Sequence, residues 1–182
     1  LGKRTIEPLL QLPAMTDPEK LALVAPHHRM NPAATQTNPQ LMVLNILKAV
    51  NLALNHGNSP VSPYFYVWYG LVMAAQGHYE MAYKVGAVGI RLDLKGDNRS
   101  IDAAVHMVYG AFVAFWRTSV AESTDYLRRA LRMSLETGSH VYAGYSSAFL
   151  TIFRLFKGDS VDDIRAESRD FDAMLTRIGD AV

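Results

Sequence analysis

The sequence predicts an all-α chain of stacked antiparallel helix pairs, an α-solenoid of about eight or nine helices. Glycines that follow long amphipathic segments recur at Gly57, Gly96, Gly138 and Gly179, spaced 39, 42 and 41 residues apart. An interval of about 40 residues is what stacked hairpins produce, each leaving an apolar face for the next to cover. Each of these glycines is expected to end the second helix of a pair in the left-handed conformation. Helix-start signals alternate with these stops. Asn38-Pro39 and Ser62-Pro63 set a capping side chain before a proline, and Thr16 with Glu19 and Ser119 with Glu122 fit a capping box.

Taken in order, the stops and starts predict helices over 3–11, 17–30, 39–56, 63–76, 79–95, 100–117, 120–137, 140–157 and 160–178. Pro26 is expected to end or kink the second, with "MNPAATQTNP" as a loop, because proline removes a helix hydrogen bond and crowds the preceding turn. Residues 41–54 are apolar nearly all round and predict a mostly buried helix. Its polar residues Asn45, Lys48 and Asn51, with Asn55 just beyond, form one narrow stripe. The last helix sets Ile164, Phe171, Leu175 and Ile178 against a charged face that includes Asp162, Asp163 and Glu167, as a solvated end cap requires.

The stretch "YVWYGLVMAAQGHYEMAYKVG", residues 66–86, fits a tetratricopeptide-like register: Gly70 and Ala82 take the small positions and Tyr66 the large aromatic one. Gly77 falls in the turn. Small residues let two helices approach while aromatics fill the wedge between hairpins, so this stretch, with Gly86 and Gly89, reads as a helix seam. "VYGAFVAFWRTSVAESTDYLRRAL" repeats the unit with drift, and "VYAGYSSAFLTIFRLFKGDSVDDI" is a looser copy. The whole chain, 1–182, is therefore read as one helical-repeat domain with units at roughly 17–57, 62–96, 100–138 and 140–179. It starts at Leu1 without an initiator methionine or signal-peptide pattern, so it is read as a fragment of a longer polypeptide.

Composition narrows the function. A hydrophobic fraction of 49% with 19% charged residues describes a packed chain rather than a disordered one. Basic and acidic residues number 18 and 17, without long single-sign blocks, so nucleic acid is not an expected partner. No cysteine is present, which removes disulfides, thiolate metal sites and cysteine nucleophiles and agrees with a cytoplasmic setting. The apolar run from Pro63 to Ala75 falls short of the ~20 residues a membrane helix needs, so no membrane association is expected.

No reaction centre is legible. "GYSSA", Gly144–Ala148, approaches a nucleophile elbow, but that motif needs a preceding strand and a downstream histidine, and the last histidine is His140. The six histidines, His27, His28, His56, His78, His106 and His140, show no metal-ligand spacing, and no phosphate-binding loop occurs. No metal and no cofactor is therefore expected. Asp162, Asp163 and Glu167 read as a solvated face, and the cluster Arg128, Arg129 and Arg132 as a solubilising surface able to dock an acidic segment. The expected partner is protein. Candidate contacts are the stripe Asn45, Lys48, Asn51 and Asn55, whose amides can hydrogen-bond an extended backbone, and the aromatics Tyr64, Trp68 and Trp116, expected to be exposed. An uncovered end of the stack also permits a homodimer. A rival reading encloses a small-molecule effector between hairpins, lined by Trp68, Tyr69, His106, Tyr109 and Trp116.

"RTIEPLLQLPAMTDPEKLA", "NPQLMVLNILKAVNLALNHGNSPVSPYFYVWYGL" and "LETGSHVYAGYSSAF" together resemble the helical-repeat middle region of large bacterial multidomain signalling proteins. In that family a serine/threonine-kinase-like domain and a predicted ATPase precede the repeats, and GAF and sensor histidine kinase domains commonly follow. The resemblance covers roughly Arg4 to Ala173. It implies a regulatory scaffold, with every catalytic residue in neighbouring domains and none here. Pro26-His27-His28 departs from the unbroken apolar helix of the family, which implies a frayed or repacked first hairpin.

Overall fold

The computed structural model describes residues 6–96 and 98–177. Among these the chain is all-α. Its eight α-helices are α1 (Pro18–Thr37), α2 (Pro39–His56), α3 (Ser62–Ala75), α4 (Tyr79–Asp93), α5 (Arg99–Phe112), α6 (Val120–Thr137), α7 (His140–Lys157) and α8 (Val161–Arg177). Short 3-10 turns occur at Glu7–Gln11 and Ala114–Trp116. Two compact units divide the chain, Leu1–Asn98 and Arg99–Val182.

In the first unit each helix packs on the next, α1 on α2, α2 on α3 and, most extensively, α3 on α4. The expected seam is here. Every residue from Ser62 to Gly70 is buried, so α3 is the unit's central helix and its uncharged sequence follows from having no wet side. A Cβ built at Gly89 of α4 would lie 2.8 Å from both the Pro63 carbonyl oxygen and Val67 Cγ1, so only glycine allows this approach. The hairpin turns at Gly77, whose φ of +82° lets the His78 N–H reach back to the Met73 carbonyl at 2.9 Å. Asn58 fastens the N-terminal segment to the loop between α2 and α3. Its backbone exchanges bonds with Pro13 and Met15, each at 2.8 Å, its Nδ2 donates to the Leu9 carbonyl at 2.8 Å, and its Oδ1 accepts from Tyr66 Oη at 2.9 Å.

In the second unit α5 packs on α6, α6 on α7, and α7 on α8. Gly110 makes the closest crossing: a Cβ there would meet Tyr126 Cβ at 2.9 Å and the Ser123 carbonyl at 3.0 Å. Ser119 caps α6 by accepting from the Glu122 N–H at 3.1 Å, and Gly138 ends it in the left-handed conformation. Gly158 likewise ends α7. Arg154, a side chain only 16% exposed, then bonds Asp159 at 2.8 Å and also Glu167, tying the start of α8 to the end of α7.

Several local expectations are corrected. Proline does not stop α1, which runs through Pro26 and Pro32 to Thr37. An interior proline carries a penalty of roughly 3 kcal/mol, and side chains outside the helix anchor this stretch of α1 to its neighbours. Asn45 Nδ2 of α2 donates to the His27 carbonyl at 2.8 Å and to Asn31 Oδ1 at 3.1 Å, and Asn31 Nδ2 donates to Tyr64 Oη at 3.1 Å. These bonds join α1 to α2 and α3. Asp17, not Thr16, caps α1, accepting from the Glu19 N–H at 2.9 Å. Val61 precedes α3 in the cap position, and Ser62 Oγ instead accepts from the Ser59 N–H at 2.9 Å. Gly57 has a positive φ of +96° but an extended ψ, so it is not an ordinary left-handed cap. Gly96 has no positive φ, because α4 closes with tight turns from Lys95 to Leu92 and from Gly96 to Asp93 that any residue can make. The helix expected over 100–117 ends at Phe112 and tightens into the second 3-10 turn. The start of the helix expected from residue 3 and the positions of Ile178 and Gly179 lie outside the described residues, as does the Leu175 side chain.

Candidate interaction surface

The stripe on α2 divides in two. Lys48, Asn51 and Asn55 are exposed, whereas Asn45 is buried and its amide is occupied by His27 and Asn31. The expectation that Asn45 meets a partner is therefore corrected: it points inward to α1, at His27 and Asn31. Nor is α2 mostly buried. Only Asn45, Ile46, Ala49, Val50 and Ala53 face the core, and Leu41, Leu44 and Leu47 are each about two-fifths to one-half exposed. The outer face of α2 is consequently apolar in its first half and amide-rich in its second, with Lys48 between.

Two of the three aromatics expected to be exposed are not. Tyr64 lies in the core, edge-on to His28 at 4.6 Å and to Phe65 at 5.3 Å. Trp68 is buried against Tyr64, with no hydrogen-bond acceptor for its Nε1 among the described residues. Trp116 is 45% exposed, its ring 4.5 Å from Phe115. Of the residues expected to enclose an effector, Trp68 and Tyr69 are buried and His106 and Tyr109 are buried against the Tyr126 ring at 5.9 and 4.8 Å, so Trp116 alone of the five is exposed.

Charge adds what the sequence reading missed. Between Glu19 and Glu80 no carboxylate occurs, although Lys20, Arg29 and Lys48 fall in that interval. The balanced total hides this, and a windowed count of charge reveals it. The α1–α2 hairpin beyond its first turn thus carries positive charge and no carboxylate. Titration is perturbed mainly by burial: it holds His28 below the usual histidine range, with Arg29 contributing, and pushes the Tyr66 and Tyr69 hydroxyls up. Hydrogen bonds from Arg154 and Lys157 hold Asp159 below the usual carboxylate range.

In the second unit an apolar groove of about 760 Å³ runs between α7 and α8, bordered by Val141, Gly144, Tyr145, Ala148, Ile152 and Phe171. The arginine cluster faces a smaller groove, of about 300 Å³, in which Arg128 and Arg132 flank Leu131, Leu135 and Phe171. Arg129 instead lies over the Tyr126 ring at 5.9 Å. Ser146, the would-be nucleophile, is buried in the middle of α7, and its neighbour Ser147 donates to the Ala143 carbonyl at 2.9 Å. Among the described residues no three His, Asp or Glu side chains gather to hold a metal, and no helix is long and apolar enough to cross a membrane. Comparison with protein-family models, with curated proteins and with solved structures finds no match to this chain.

Proposed function

We propose that this chain is a non-enzymatic, tetratricopeptide-like module that binds protein, and that the outer face of α2 is its docking surface. The observation that carries this reading is the row Leu41, Leu44 and Leu47 left in solvent beside Lys48, Asn51 and Asn55 on a hairpin without carboxylates beyond its first turn. Leucine at helical spacing fits the apolar stripe of a partner helix, and Lys48 and Arg29 select one flanked by carboxylates. The resemblance of the chain to signalling-protein repeats supports a regulatory scaffold in a cytoplasmic bacterial ATPase or kinase, the partner being a neighbouring domain or a signalling protein. Two labelled amphipathic peptides, alike in their leucine stripe and differing only in Glu or Lys flanks, test the surface by fluorescence anisotropy. The Glu peptide binds about tenfold tighter, and Lys48→Glu or Leu44→Asp abolishes the preference. Equal affinity for both peptides, or none, refutes it.

One observation favours a second reading, an effector-sensing module. The α7–α8 groove falls within the volume range of small-molecule sites, roughly 300–1,000 Å³. A metabolite that raises the melting temperature by several degrees, with the rise lost in Tyr145→Ala, supports that reading; a flat screen removes it.

A further inference from the structure

Helix α7 has two apolar faces, one buried in its own unit and the other bordering the α7–α8 groove and partly exposed. Ala143, Ser146, Ser147, Leu150 and Phe153 are buried, whereas Val141, Tyr145, Ile152 and Leu155 are 59%, 38%, 41% and 52% exposed, with Ala148 exposed among them. The open residues follow one another at intervals of four, three, four and three, which is the spacing of a helix–helix seam. Phe156, 72% exposed, extends the patch at its edge. α8 lies along one flank, joined by the hydrogen bond between Thr151 and Ser168 at 3.2 Å, and shares the α7–α8 groove with this face, leaving the seam residues partly exposed.

We infer that this face of α7 is a self-association surface, on which a second copy of this chain docks antiparallel about a two-fold axis at Ala148. The symmetry of the seam selects a second copy over an unrelated helix, and the remaining features allow the two to close. The seam is symmetric about its smallest residue: Val141 and Leu155 stand seven residues to either side of Ala148, and Tyr145 and Ile152 stand three and four. A two-fold rotation therefore sets Val141 against the partner's Leu155 and Tyr145 against the partner's Ile152, large residues meeting at both ends while alanines meet at the crossing. That crossing can close to the ~8 Å separation that small residues permit. No charged residue occurs on α7 between His140 and Arg154, so the apposed α7 helices themselves bring no like charges together, and Asp172 of α8 is the carboxylate that borders the same groove. Antiparallel α7 helices also set each positive N-terminus beside a negative C-terminus.

The area agrees with a reversible dimer. The exposed apolar side chains of α7, with Val161 at the head of α8, sum to on the order of 600 Å² per copy, which is at the lower edge of what stable interfaces bury. Association is accordingly expected in the micromolar range. The α2 surface plays no part in it, so the α2 proposal and this one stand or fall separately, whereas an effector in the α7–α8 groove would compete with the second copy for Val141, Tyr145, Ala148 and Ile152.

Sedimentation equilibrium on the 182-residue chain tests the inference. The weight-average mass is expected to rise from 20.2 kDa toward twice that value across about 1–100 µM. Ile152→Glu, at an exposed position, keeps its helical circular dichroism and stays monomeric. Because the chain has no cysteine, Ala148→Cys gives a direct geometric readout: it forms a disulfide-linked dimer under mild oxidation much faster than Asn51→Cys, an exposed site on α2. A mass fixed at the monomer value overturns the proposal. So does a dimer that survives Ile152→Glu, or crosslinking at 148 no faster than at 51. A monomer that instead loads its α7 face with a different protein overturns it equally.

Discussion

Replacing Gly89 by alanine tests the helix seam directly, because two effects of known size oppose each other there. Alanine gains about 1 kcal/mol over glycine in a helix interior. The added methyl, however, lies 2.8 Å from the Pro63 carbonyl oxygen, 2.8 Å from Val67 Cγ1 and 3.3 Å from Val67 N, where ordinary contact begins at 3.4 Å. Pro63 presents backbone in the first turn of α3, and Val67 is wholly buried, so neither can swing aside. Overpacking of this kind costs about 1–3 kcal/mol, and contact with backbone puts it in the upper part of that range. Gly89→Ala is therefore expected to lose about 1–2 kcal/mol net. Gly96→Ala, whose methyl would meet nothing nearer than 3.5 Å, should stay within about 0.5 kcal/mol of the parent. Urea unfolding measures both. In a Trp116→Phe background the remaining tryptophan, Trp68, lies in the first unit and reports on the helices that the substitution disturbs. A Gly89→Ala protein as stable as the parent, or more so, would refute the close approach of α4 to α3.

Asn45→Leu is expected to cost about 2–3 kcal/mol in the same assay, because it strands the Asn31 amide and the His27 ring and carbonyl next to the prolines of α1; a loss below about 0.5 kcal/mol would mean that the amide ladder does not hold α1 together. Stability should also depend on pH through His28. Its folded-state pKa is lowered from 6.5 by burial and by Arg29, so the unfolded chain takes up the proton first as pH falls. The contribution is complete above about pH 6.5 and is lost as pH drops through the folded-state value, and a His28→Gln variant should lose that slope in melts between pH 5 and 7.5. At lower pH Asp159, lowered from 3.8 chiefly by its hydrogen bond to Arg154, gives the same sign: its contribution is present above about pH 3.8 and is lost below it. Arg154→Ala should weaken that second dependence, with the Lys157 contact to Asp159 still in place.

Where a local signal stands alone, the chain can be read from its residues. Asn38 and Ser119 start α2 and α6 at the expected residues, and Gly138 ends α6 where a left-handed cap is required, since nothing nearby competes with these signals. Pro26 misleads because its cost is local, whereas the bonds that anchor this stretch of α1 come from Asn45 and Tyr64, 19 and 38 residues further along the chain. Thr16 and Asp17 are adjacent cap candidates, and only the geometry of the first turn separates them.

The interaction surface is less legible for a related reason. On α2 the polar residues recur at helical spacing and suggest one wet stripe, but Asn45 sits at its border and is drawn inward by α1. The three leucines that do face solvent look like core in any hydropathy pattern. Tyr64 and Trp68 mislead in the same way: a tyrosine or tryptophan can line a surface or fill a wedge, and only the packing of α3 on both sides decides. The seam on α7 is visible as spacing, yet spacing alone does not say that α8 stands to one side of it.

The claim on which the functional account most depends is that α2 meets another protein. A photo-crosslinking residue placed at position 44 in cells, compared with the same residue at position 133 on α6, measures this most directly. The account predicts a discrete protein adduct at 44 that disappears with Lys48→Glu, and no such adduct at 133. Absence of any protein adduct at 44, with the chain folded and expressed, would contradict it.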